Sequence, residues 1–302
     1  MKLIRLFNPT NLLLILIAQL VFRYGFMEQM AGLPQALNYW QYGLFMLATL
    51  LIAAGGALVY HIEITGRAEK AGITEAKGYN IYLGLTIVGL AIGYYIADLI
   101  GKPGFVAIFV VAGAIGYIHA TSLRNMIAVG NFLVALTAAL VILAPGIFNL
   151  YPFLSVNPDG AEYLQMIFWI HIEFGFFVFL IALLCTFVSD LKNTDLHYNA
   201  GVSSLPIALG KDRTIKILFF FSLIPAGLLL YYGSENIIDL TYALGYGLLF
   251  ILGPLVYFMI KLWSAKTNKD FAHLEGVLKL ILLFTPIAIA VITYNIHINA
   301  AG

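Results

Sequence analysis

Phe176–Val188, FFVFLIALLCTFV, runs almost directly into Asp190–Pro206, DLKNTDLHYNAGVSSLP, and this junction decides the reading of the chain. The first segment carries no charge. The second gathers Asp190, Lys192, Asp195 and His197 around the amides of Asn193 and Asn199. A long apolar run that ends abruptly in a polar cluster reads as a helix leaving hydrocarbon for water. If the helix continues into the cluster, Asp190, Asn193 and His197 fall at i, i+3 and i+7 and share one face, while Asp195 points elsewhere. A carboxylate, an amide and an imidazole in a row at a membrane boundary suit a metal ion or a polar head group. The same residues also suit a plain helix end that meets water.

Composition extends this reading to the whole chain. Apolar residues make up 62% of the 302 and charged residues only 10%, with a mean hydropathy of +0.94, far outside the soluble globular range. The sequence therefore predicts an all-α integral membrane protein. A span needs about 20 apolar residues, and candidate runs lie near 11–27, 40–62, 79–100, 104–121, 127–150, 165–189, 214–233, 237–262 and 274–297, which makes about nine transmembrane helices. A β-barrel would show shorter segments alternating polar with apolar, a pattern absent here. The first run follows Lys2 and Arg5 but is not followed by a small-residue cleavage site, so it reads as an uncleaved anchor. Cys185 is the only cysteine, lies within an apolar run and reads as packing.

Basic residues alternate between loops. Lys2, Arg5, Arg67, Lys70, Lys77, Arg124, Lys192, Lys211, Arg213, Lys216, Lys261, Lys266 and Lys269 fall on one side of a nine-span arrangement. Glu28, Asp98, Asp159, Glu162, Glu235 and Asp239 dominate the other, with Arg23 and Lys102 as its basic residues. The positive-inside rule predicts a cytoplasmic amino terminus and an external carboxyl terminus in a bacterial inner (plasma) membrane. No hydrophilic stretch is long enough for a separate soluble domain, so 1–302 is expected to form a single transmembrane domain. Expected partners are membrane lipids and not nucleic acid. A protein partner is left open.

Three further stretches carry a family likeness: LIRLFNPTNLLLILIAQ from Leu3, HATSLRNMIAVGNFLVAL from His119 and YNAGVSSLPIALGKDRTIK from Tyr198. Together with the span count and the late EGVLKLILL segment from Glu275, the chain resembles the UbiA-type membrane prenyltransferases over nearly its whole length. Within them it most resembles the bacterial geranylgeranylglycerol-phosphate geranylgeranyltransferase-like members. The resemblance implies helices around a central cavity that opens sideways to lipid and is capped by two cytoplasmic loops. It also implies transfer of a prenyl group from a prenyl diphosphate to a lipid or aromatic acceptor, with Mg²⁺ held by two acidic motifs. Several negative charges on the leaving diphosphate explain why such a reaction uses a divalent cation.

Anchored on Ala200-Gly201 and Leu205-Pro206, the family's second acidic motif falls on Asp190, Asn193 and His197. Anchored on Ala53-Ala54-Gly55, the first falls on Val59, Tyr60, Glu63 and Arg67. The resemblance therefore implies Asp190 and Glu63 as the remaining catalytic carboxylates and metal ligands, with both motifs degenerate. Arg124 stands where the family has lysine, and Asn131 matches. Tyr60, Arg67, Arg124, Asn131, Lys192, Asn193 and His197 are the expected substrate-binding set, since arginine and lysine can grip phosphate without a metal. Helical spacing from Glu63 to Arg67 predicts an i, i+4 ion pair that places positive charge where a metal would sit. His197 with one acid does not make a zinc site.

His171 and Glu173 lie inside a predicted span, Glu173 roughly 25 Å from Asp190 along a continuous helix. They read either as a pairing between helices or as a separate polar pocket. Three functional readings stand at this point. The chain is an impaired or atypical family member that binds an isoprenoid lipid, an active Mg²⁺-dependent prenyltransferase with a non-standard site, or a transporter or channel reusing the cavity.

Overall fold

Hydrocarbon offers no partner for backbone N–H or C=O groups, so a spanning chain must satisfy them within helices or a closed barrel. The computed structural model, which describes residues 4–122, 126–154 and 161–301, takes the helical solution. Its elements are α1 (Pro9–Leu20), continued by a π-helical turn (Val21–Phe26), then α2 (Tyr39–Glu63), α3 (Arg67–Lys70), α4 (Glu75–Leu99), α5 (Val106–Thr121), α6 (Val129–Asn149) and α7 (Tyr151–Leu154). There follow α8 (Ala161–Lys192), α9 (Thr194–Asn199), α10 (Leu205–Leu209), α11 (Lys211–Asn236), α12 (Thr241–Tyr246), a second π-helical turn (Gly247–Leu252), α13 (Gly253–Ser264) and α14 (Asn268–Ala301).

Among the described residues nine helical segments are long and apolar enough to cross a membrane. They coincide with the nine runs read from the sequence. The helices extend further at the sixth and ninth spans, Ala161–Lys192 and Asn268–Ala300. With 32 residues, α8 is about 48 Å long against a hydrocarbon layer of about 30 Å, so its ends pass beyond the apolar layer. Asp190 sits at one such end.

Contacts divide the chain into two compact units. One comprises Met1–Gln19, Gly32–Asn125 and Leu140–Glu173; the other comprises Leu20–Ala31, Met126–Ala139 and Phe174–Gly302.

In the first unit α2 packs on both α4 and α5. Asn38 caps α2 with its side chain and Gln41 reaches back to the Asn38 backbone, which fixes where the helix starts. Phe45, Phe109 and Phe148 form an aromatic cluster with ring separations of 5.0 to 5.9 Å. Buried polar groups are paired: Gln19 donates to Thr49 (3.1 Å), Tyr42 donates to the Gln19 carbonyl (2.7 Å), and Asn149 accepts from the Leu37 amide (3.3 Å). The Gly56 and Gly116 backbones touch so closely that a Cβ on Gly116 would lie 3.0 Å from the Gly56 Cα, as small residues permit between membrane helices.

In the second unit the π-helical turn after α1 lies against α14, where a Cβ on Gly25 would meet that of Ala290 at 3.0 Å. Helices α11 and α13 pack together, and α12 and α13 both pack on α14. Asn295 of α14 accepts from the Tyr242 and Ala243 amides, at 2.9 and 3.2 Å, and so satisfies the start of α12.

Gly116→Val overfills the α2–α5 contact and is expected to lower stability by about 1–3 kcal/mol, read as a fall in thermal midpoint in detergent. Gly43→Ala, whose new methyl meets nothing within 4 Å, is expected to leave the midpoint unchanged or slightly raised.

Candidate functional site

The polar cluster after the sixth span forms where α8 stops. Thr194 turns its hydroxyl onto the carbonyls of Asp190 (3.1 Å) and Leu191 (2.9 Å), and Asn193 leaves helical geometry at φ −101°, ψ 17°. Short helix α9 then carries His197 back toward Asp190. The chain turns through Gly201 at φ +68°, a left-handed conformation that suits glycine, and Pro206 opens α10.

At the centre of the cluster is the Asp190 carboxylate, its side chain only 13% exposed. Oδ2 accepts from Nδ2 of Asn131, in the first turn of α6, at 2.8 Å. Oδ1 lies 3.7 Å from Nδ1 of buried His197, too far for a hydrogen bond but close enough for charge attraction when the ring is protonated. Asn193 turns away and donates to Ser189 on its own helix (3.2 Å). The three residues at i, i+3 and i+7 thus divide: Asp190 and His197 converge, whereas Asn193 is held by α8 itself. Asp195 is exposed, as its spacing predicts.

Lys192 belongs to a different cluster. It pairs with Glu275 of α14, and Lys279 pairs with the other oxygen of the same carboxylate at 2.6 Å. Two lysines share one glutamate, with side chains between 12% and 27% exposed, so one positive charge is unbalanced in a half-buried setting. Cys185 is buried and free, in keeping with packing.

In the other unit α2 ends at Glu63, which accepts a hydrogen bond from Tyr79 near the start of α4. Gly66 takes φ +59° and breaks the helix before Arg67. This corrects the expected Glu63–Arg67 ion pair: the helical spacing on which it depended stops at Glu63, and among the described residues the two form no salt bridge. Arg67 is exposed and its amide donates to Thr65 Oγ1 (3.3 Å). Tyr60 is half-buried, its ring parallel to that of His119 with centroids 6.0 Å apart. Arg124 lies outside the described residues.

The structure therefore joins Asp190, Asn131 and His197 in one unit, and places Glu63 and Tyr60 in the other. Sequence reading missed three partners: Asn131 for Asp190, Tyr79 for Glu63, and Glu275 for Lys192. Only Glu275 left a local trace, the i, i+4 spacing to Lys279.

Magnesium takes hard oxygen ligands, with carboxylates and phosphate oxygens foremost. The Asp190 cluster offers one carboxylate, engaged by an amide nitrogen on one oxygen and faced by an imidazole nitrogen on the other. Among the described residues no group of three or more His, Cys, Asp or Glu side chains is placed to hold a metal. This donor set does not fit a multi-carboxylate magnesium cluster. His171, fully buried, has Nδ1 3.0 Å from the Ile167 carbonyl and fits against Gly146, where any Cβ would strike its ring. That is a packing arrangement. Glu173 is exposed on α8.

No protein-family model matches the chain. A curated relative, digeranylgeranylglyceryl phosphate synthase of Sulfolobus acidocaldarius, is 28% identical over 217 residues, covering 70% of this chain and 69% of the relative. A solved structure of a digeranylgeranylglyceryl phosphate synthase superposes with a TM-score of 0.61 at 17% identity, over 96% of this chain and 95% of that one. A UbiA homolog from Archaeoglobus fulgidus bound to GPP and Mg²⁺ gives 0.61 at 16% identity, and the same homolog bound to Cd²⁺ gives 0.60 at 16%. Each covers 96% of this chain and 99% of that one.

Asn131→Ala removes the donor that serves the Asp190 carboxylate, leaving a buried acceptor unserved. A loss of about 1–3 kcal/mol is expected, measured as a lowered thermal midpoint, with Asn131→Asp at least as damaging because it sets two carboxylates together.

Proposed function

We propose that the chain is a member of the UbiA-type superfamily of membrane prenyltransferases, which its likeness in sequence and fold supports, and that it binds a prenyl diphosphate or isoprenoid lipid within the membrane and carries out prenyl transfer only in impaired or atypical form. The observation that carries this reading is the state of Asp190. In a diphosphate site built on metal, carboxylates turn their oxygens toward the cation. Here the Asp190 carboxylate turns one oxygen to Asn131 and the other toward His197.

Transfer of a prenyl group opens a carbon–oxygen bond, and charge collects on the departing diphosphate as it opens. Magnesium, where it is bound, neutralises that charge. Asp190 and Glu63 are the carboxylates proposed to meet such an ion, and singly they supply little of what the task needs. Cationic side chains are the alternative for holding the anion. Arg67 is exposed and among the described residues forms no ion pair, and the Lys192–Glu275–Lys279 group carries one positive charge more than it balances. Lysine and arginine bind phosphate well in the ground state, but binding that does not strengthen as the bond opens does not accelerate transfer. Retained binding with weakened turnover follows.

His197 is proposed to hold the Asp190 carboxylate in place, and Tyr79 to do the same for Glu63. Tyr60, Asn131, Asn193 and Arg124 complete the proposed substrate-binding set. The charge distribution supports a single transmembrane domain over 1–302 in a bacterial plasma membrane, with the amino terminus cytoplasmic and the carboxyl terminus outside. The packing of His171 against Gly146 lends the transporter reading no support.

Purified protein is incubated with labelled geranylgeranyl diphosphate and candidate acceptors, with Mg²⁺ or with a chelator. The expected result is binding that survives chelation, with transfer absent or at least about 100-fold below a relative with complete acidic motifs, the loss of roughly 2.7 kcal/mol of transition-state stabilisation. Rapid Mg²⁺-dependent transfer abolished by Asp190→Ala would overturn the proposal.

A further inference from the structure

Helices α13 and α14 meet in a tight reversal, and a pocket of about 210 Å³ opens beside it, lined by Tyr257, Lys261, Ser264, Asp270 and His273. None of these residues belongs to either acidic-motif position, and all lie within the unit that contains α13 and α14. We infer that this pocket binds the phosphate of a phosphate ester, as found in an anionic lipid head group.

The donors are specific to the place. Tyr257 and His273 are joined side chain to side chain, hydroxyl to Nε2, at 2.9 Å. With the hydroxyl donating to Nε2, the ring proton sits on Nδ1 and remains available to an acceptor. Lys261 lies 6.0 Å from the Tyr257 ring centroid, and among the described residues it has no carboxylate in ion-pair range. The Ser264 hydroxyl on the pocket wall donates to the Lys261 carbonyl at 3.2 Å.

Asp270 is committed to the turn, its Oδ2 accepting from the Lys266 amide (3.0 Å) and the Thr267 amide (2.8 Å), where it starts α14 and keeps its charge on the pocket wall, opposite in sign to Lys261. An ammonium and an imidazole N–H beside one hollow match a group with several acceptor oxygens and negative charge. The volume equals that of about seven liquid waters, enough for a phosphate with the first carbons of its ester.

Position favours a lipid. The pocket lies where two membrane-spanning segments, Thr241–Ser264 and Asn268–Ala300, turn back on one another. Trp263, 57% exposed and packed edge-on against Phe219 at 5.1 Å, stands beside it as an interfacial aromatic. Basic residues at such a boundary draw anionic lipids.

The test titrates the delipidated full-length protein with phosphatidic acid and with phosphatidylcholine, and counts bound lipids by native mass spectrometry. Phosphatidic acid is expected to bind the more tightly, and Lys261→Gln to weaken it about five-fold. Ser264→Ala is expected to weaken it less, and Lys266→Gln with Lys269→Gln to leave it unchanged. Glycerol 3-phosphate is then added as a competitor. Displacement at concentrations matching those of the lipid assigns the pocket to a soluble phosphate ester, and no displacement assigns it to the head group; either result upholds the phosphate chemistry. Equal binding of the two lipids, or a loss in the Lys266/Lys269 double variant as large as that in Lys261→Gln, overturns it in favour of diffuse surface charge.

Discussion

A polar side chain inside a bilayer finds no water, so each one that is kept must find a partner in the protein. The chain answers this constraint in its backbone and at several of its buried side chains. Its backbone closes on itself in helices. Gln19 and Thr49, Asn149 and Leu37, and Asn295 and the start of α12 are pairs that tie one segment to another through buried hydrogen bonds. The Asn131–Asp190 bond is the member of this set on which the proposed function rests, because it engages one oxygen of the Asp190 carboxylate.

A carboxylate with free oxygens beside other carboxylates draws a divalent cation; one that is hydrogen-bonded by an amide and faced by an imidazole is already provided for. Of the two residues that share its helical spacing, His197 faces the Asp190 carboxylate, whereas Asn193 donates to Ser189 and leaves the amide contact to Asn131. Glu63 is likewise engaged, accepting a hydrogen bond from the Tyr79 hydroxyl. Each of these contacts is local to its own unit.

The spans were legible in the sequence because length and hydropathy alone define them: apolar runs such as 165–189 need no knowledge of tertiary contacts. Their ends were less so. Helix α8 begins at Ala161 and ends at Lys192, since hydrogen bonding continues after hydropathy falls. The convergence of Asp190 and His197 was legible from helical spacing, although Thr194 and Asn193 interrupt the helix between them. The Glu63–Arg67 pair failed because one glycine, Gly66, adopts a positive φ that spacing does not reveal. Partners distant in the chain, Asn131 for Asp190 and Glu275 for Lys192, were hidden because nothing local marks them. The pocket between α13 and α14 was hidden too, since Tyr257 and His273 meet only once the hairpin folds.

The central claim concerns what the Asp190 carboxylate holds, and metal-resolved crystallography reads it directly. Crystals grown with Mn²⁺ in place of Mg²⁺ and a non-hydrolysable prenyl diphosphate analogue report manganese by anomalous scattering. The account predicts an Asp190 still bonded to Asn131, with no manganese on its oxygens. An anomalous peak at about 2.1–2.2 Å from Oδ1 or Oδ2, with the Asn131 amide displaced, would contradict it.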